Sequence, residues 1–126
     1  MTLVLDSGAF IALERNDRAM WVRLKSAQLL GQVPITHGGV IAQVWRGLGP
    51  RQALLAKALA GVDVRALDDT LGRITGDLLA RARTGDVIDA ALVALSTEDD
   101  QLVTSHPDDL AALVTASDRE IDVILT

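Results

Sequence analysis

Asp6 closes the short apolar run Leu3-Val4-Leu5, and Asp86 and Asp89 stand three residues apart at the head of the apolar stretch Val87–Leu95. A third polar group, Thr104-Ser105-His106-Pro107-Asp108-Asp109, follows the apolar run Leu102-Val103. Carboxylates brought together hold hard divalent cations. Each of these residues also has a plainer role. Asp6 before Ser7-Gly8-Ala9 is placed to cap a helix by accepting its free backbone N–H groups. Asp86 and Asp89 have the spacing of a cap and its reciprocal partner, favoured by the positive helix end. That accounts well for Asp86. Asp89 is harder to explain so, because Ile88, Ala90 and Ala91 mark a buried helix, where an unpaired carboxylate costs on the order of several kcal/mol; it requires a partner, such as a cation. Asp108 and Asp109 follow Pro107, a good first helical residue, and suit the dipole as first-turn acids. His106 is either the cap of that helix or a ligand turned inward. Glu14, before Arg15-Asn16-Asp17, reads as a solvated helix end, and Trp21 and Trp45 read as core or interface rings.

The elements that must position these groups follow from the apolar pattern. Leu3–Leu5, Val62–Val64, Leu102–Thr104 and Val123–Leu125 have the length and character of strands, with a weaker candidate at Val33–Thr36. Residues 20–30, 53–58, 71–82 and 87–95 repeat apolar side chains at helical spacing. Gly31, Pro34, Gly47, Gly49, Pro50, Gly61 and Gly85 punctuate the boundaries. Alternation of this kind predicts an α/β fold: a mostly parallel central sheet of about five strands, flanked by helices on both faces. Ligands of such sheets bind beyond the carboxyl ends of the strands, which is where Asp6 and the 104–109 segment fall.

The 126 residues suit one domain, expected over 1–126, and there is no repeat or linker. The absence of cysteine removes disulfides and thiolate metal sites, and fits a cytoplasmic location. The first residues lack the pattern of a signal peptide and no segment approaches a membrane span, so no membrane partner is expected. One Phe, two Trp and no Tyr leave few rings for stacking bases. The formal net charge of −5 weighs against broad attraction to nucleic acid, unless basic residues such as Arg46 and Arg51 cluster locally or bound cations cancel carboxylates.

Four segments in order, Leu3–Leu13, Val40–Arg46, Asp86–Leu95 and Leu102–Leu110, resemble the motifs of PIN domains, and the chain is most similar to the VapC type of toxin–antitoxin ribonuclease. The resemblance spans almost the whole chain. It implies a PIN-like domain with a cluster of carboxylates that binds Mg²⁺ or Mn²⁺ and hydrolyses RNA phosphodiester bonds, together with a cognate antitoxin and a homodimer as partners. Asp6 and Asp89 match acidic positions of the family and are the expected metal ligands. Asp86 and His106 complete the expected catalytic set. Two positions depart from the pattern: Gln43 stands where Glu is usual and His106 where Asp is usual. Replacing two carboxylates by an amide and an imidazole weakens Mg²⁺ binding and shifts preference toward softer ions. Thr104, Ser105 and Arg46 are further polar groups placed to hold water or the RNA backbone.

Two other readings compete. A PIN-like binding module with weak or lost catalysis is suggested by Gln43 and His106. A phosphoacceptor receiver domain would use Asp6, Asp68 and Thr104, but it normally pairs acids at its first site and carries Lys after its last strand, where this chain has Leu125-Thr126.

Overall fold

Strands and helices alternate along the computed structural model, which describes all residues from Met1 to Thr126. The order is β1 (Leu3–Leu5), α1 (Ser7–Glu14), α2 (Arg18–Leu29), β2 (Ile35–His37), α3 (Gly38–Val44), α4 (Pro50–Leu59), β3 (Asp63–Arg65), α5 (Asp69–Ala82), α6 (Val87–Leu95), β4 (Gln101–Thr104), α7 (Pro107–Ala116) and β5 (Asp122–Leu125). Aspartate is the recurring start signal of the helices. Asp6, Asp17, Asp68 and Asp86 each cap one by accepting the backbone N–H three residues later, while Pro50 and Pro107 occupy first-turn positions where a missing N–H costs nothing.

All five strands are parallel, in the order β3-β2-β1-β4-β5. The chain therefore moves outward from β1 to β3, returns across the sheet, and moves outward again from β4 to β5. Right-handed crossovers in the two directions place helices on opposite faces. Accordingly α1 packs on α2, α3 and α4, and α5, α6 and α7 pack on one another. The α/β sheet flanked on both faces is thus the one expected.

Burial refines the strand pattern. β1 and β4 lie in the middle of the sheet, and their apolar residues are buried on both faces, as are Ala90–Ala94 of α6. The edge strand β3 is instead exposed at all three residues, and β5 is exposed or half-buried, because each has a partner on one side only. β2 begins at Ile35, later than the expected Val33, since Pro34 cannot donate to a ladder; its carbonyl accepts from Asp63 N at 2.8 Å. Asp68 caps α5 rather than ending a strand, which removes the receiver-like assignment of that residue. No helix is long and apolar enough to cross a membrane.

Candidate active site

The order in which the chain adds strands reverses between β1 and β4, and the crevice beyond the carboxyl ends of those two strands is where an open parallel sheet receives ligands. Leu5 pairs with Val103, and Asp6 N donates to Val103 O at 3.2 Å, so Asp6 and Thr104 emerge side by side. Asp6 is 6 % exposed, and its Oδ1 accepts from Ala9 N at 3.1 Å. Burial pushes its carboxyl above the ordinary carboxylate range, against hydrogen bonds from the Thr104 side chain, Ala9 and Gly8 and the nearby positive charge of His106. Capping is thus part of its role, but a cap has no need to be buried at a strand end.

Asp89 reaches the same crevice from the first turn of α6, which runs antiparallel to β4. It is half-buried, and its pKa is raised to about 6 by burial first, then by the charges of Asp86, Asp6 and Asp109 and a hydrogen bond with Asp86. Asp86 itself is exposed and caps α6, its Oδ1 accepting from Asp89 N at 3.0 Å. His106 is also exposed, stands at the N-cap of α7 and makes no side-chain capping bond; its backbone N–H donates to Thr104 Oγ1 at 3.0 Å. Asp6 and Asp89 are therefore the inner pair, with Asp86, His106 and Asp109 at the rim. Gln43 is exposed near the end of α3 and makes no side-chain hydrogen bond.

Some supports of the crevice were not anticipated from the sequence. Gly8 lies against the β4–α7 turn so closely that a Cβ there would sit 2.9 Å from Ser105 N and still nearer the Ser105 side chain. Only a bare Cα lets the two acid-bearing turns meet. His37, fully buried, accepts from Gly39 N through Nδ1 at 3.0 Å, so its Nε2 carries the proton and donates to Ile88 O at 2.9 Å. Burial holds this imidazole below its ordinary pKa, and the neutral ring ties β2 to the residue before Asp89. Glu14 proves to be half-buried, not a solvated end. Its Oε1 accepts from Gln52 Nε2 at 3.1 Å, while Gln52 Oε1 accepts from Arg46 N and Gly47 N. A lone His and a Gln in the first turn of a helix carry no spacing signal; only the topology reveals what they join. Trp21 is partly buried and Trp45 is 43 % exposed.

No three Asp, Glu or His side chains stand close enough together to surround one cation by themselves. A Mg²⁺ site does not need three. Mg²⁺ retains several waters and is commonly held by one or two carboxylates. Two partly desolvated carboxylates, both held above the ordinary range by burial and Asp89 also by the charge of Asp6, fit such an ion, because a cation offsets the cost of keeping them ionised. Beside the crevice, Gly8, Ile11, Arg15, Ser105 and Thr126 line a cleft of about 280 Å³.

No protein-family model matches the sequence, and no curated protein is significantly similar to it in sequence. Among solved structures, it superposes on a chain from the crystal structure of VapBC2 from Rickettsia felis bound to a DNA fragment from its promoter. The TM-score is 0.74 at 12 % identity, and the match covers 98 % of each chain. At this identity the likeness shows the fold, which is shared with a chain of that VapBC complex.

Proposed function

We propose that this chain is a metal-dependent endoribonuclease toxin of the VapC type, acting on cytoplasmic RNA and neutralised by a cognate antitoxin, with Asp6 and Asp89 holding Mg²⁺ or Mn²⁺. The observation that supports the reading is that Asp6, at the topological switch point of the sheet, stands near enough for its charge to act on Asp89 from a separate element, in a fold shared with a chain of a VapBC complex. When bound, the cation supplies Lewis acidity that activates water and balances charge on the attacked phosphate. The chain's own groups do the rest. The hydrogen bond from Ala9 N fixes the orientation of the Asp6 carboxylate. Asp86 holds the first turn of α6, and His37 anchors Ile88, so Asp89 is presented from a rigid helix end. The exposed imidazole of His106 lies at the rim, within electrostatic reach of Asp6 and placed to meet a phosphate oxygen.

Metal titration tests the ligand assignment independently of any RNA. Adding Mg²⁺ or Mn²⁺ to chelator-treated protein raises its thermal midpoint, because ligand bound only to the folded state stabilises it by about 2.7 kcal/mol at a hundred times Kd. Asp6→Asn loses most of that rise. An unchanged midpoint with both ions would rule out these residues as the ligands.

A further inference from the structure

Charge is strongly segregated along this chain. From Arg18 to Val62 there is no Asp or Glu, yet this stretch contains Arg18, Arg23, Lys25, Arg46, Arg51 and Lys57; all 17 acidic residues lie outside it. The fold gathers that stretch on one side. It comprises α2, β2, α3 and α4, and of these β2 is buried in the sheet, so the bases are displayed chiefly by α2 and α4.

Side-chain contacts link α2 to α4 and to the turn after it. Gln28 Nε2 donates to Gly61 O at 3.1 Å, and Trp21 of α2 receives an ammonium from each helix: Lys25 Nζ lies 6.0 Å and Lys57 Nζ 5.9 Å from its ring centroid. Both lysines are exposed and neither has a carboxylate partner. The two ion pairs of the molecule, Arg65–Asp63 and Arg73–Asp69, occupy the acidic remainder of the chain. Neither positive charge is neutralised by a carboxylate of the chain, so both are available to an anion. The cluster is also joined to the acidic crevice. Trp21 Nε1 donates to Leu13 O at 3.1 Å in the last turn of α1, the helix whose first turn Asp6 caps. At 1.5 Å per residue, that helix spans about 12 Å.

We infer that the basic face of α2 and α4, centred on Lys25, Trp21 and Lys57, is a docking surface for the backbone of single-stranded RNA, separate from the carboxylate crevice at the other end of α1. The inference rests on the nuclease reading for its choice of RNA. It reconciles a net negative chain with a polyanionic substrate: phosphates are gripped by two helices whose own sequences contain no acid, with Asp17 and Glu14 only at their ends, and contacts of this kind position the strand without reading its sequence.

The test is binding of a labelled single-stranded RNA of mixed sequence by fluorescence anisotropy, in chelator so that nothing is cut, from about 50 to 200 mM salt. K25A/K57A is expected to weaken binding on the order of tenfold at low salt and to flatten the logarithmic salt slope by about 1.4, or ~0.7 for each lost contact. K25R/K57R retains binding. R73A/R81A, which removes the same charge from α5, leaves binding near wild type, and circular dichroism verifies the fold of each variant. No RNA binding by the wild type, equal losses in the two Ala pairs, or an unaffected K25A/K57A would each overturn the inference. So would loss of poly-glutamate binding alone, which would assign the face to an acidic polypeptide. RNA that binds through these lysines but is never cut would overturn the nuclease reading and leave the docking surface standing.

Discussion

Asp89→Asn is expected to make the metal-free protein more stable while abolishing RNA cleavage. In the fold, the Asp89 carboxyl titrates near pH 6 against an ordinary value of 3.8, so keeping it ionised at neutral pH opposes folding. At 1.36 kcal/mol per pKa unit the cost approaches 3 kcal/mol, and the residue's partial exposure reduces it to about 1–2 kcal/mol. The sign follows from linkage: a folded pKa raised above the unfolded one means stability is lost as pH rises from 3.8 through about 6. Asn removes the charge at constant size. Its gain should be absent near pH 3.5, grow through that window and level off above pH 6. Denaturant midpoints of both proteins in chelator measure it directly. Activity moves the other way, by on the order of a hundredfold or more, because a ligand for the cation is lost. A variant no more stable than wild type at neutral pH would mean that Asp89 is satisfied within the protein and needs no cation.

His106→Asp is expected to tighten Mg²⁺ binding by about tenfold and to raise nuclease activity with it. The rim imidazole is near enough for its charge to act on Asp6, so an acid at this position adds negative charge where the cation would sit. The same change should destabilise the metal-free protein, since Asp6 and Asp89 already resist ionisation. Gln43→Glu should do much less, because Gln43 is exposed and makes no side-chain hydrogen bond. Calorimetric titrations with Mg²⁺ and Mn²⁺ beside the cleavage assay separate the alternatives. If affinity shifts from Mn²⁺ toward Mg²⁺ while the maximal rate stays fixed, His106 is itself a ligand. If affinity is unchanged for both ions, position 106 does not face the metal.

How much of this was legible in the sequence varies with the residue. Asp6 and Asp89 stood out because each breaks a local apolar pattern at a place the crevice rule selects, and both reach the crevice. Helix α6 was readable for the same reason: an apolar stretch interrupted only by Asp89 becomes a helix buried from Ala90 to Ala94. β3 was misleading. Val62–Val64 looks like a core strand, but an edge position with one neighbour leaves Asp63–Arg65 exposed. Asp86 has the spacing of a site residue and the exposure of a cap. His37, Gln52 and Gly8 were silent because their roles depend on partners at positions 88, 14 and 105, which no local periodicity connects. The charge segregation is written in the sequence, but it acquires meaning only when α2 and α4 are seen side by side.

The central claim is that Asp6 and Asp89 form a cation-dependent centre that cuts RNA. Its most direct measurement is incubation of total cellular RNA with wild-type protein and with Asp6→Asn, purified identically, each in Mg²⁺, in Mn²⁺ and in chelator. Cleavage by the wild type with either cation, lost in chelator and lost in Asp6→Asn with its fold intact, is the predicted result. Cleavage that survives in chelator or in Asp6→Asn, or no cleavage by the wild type with either cation, would contradict it.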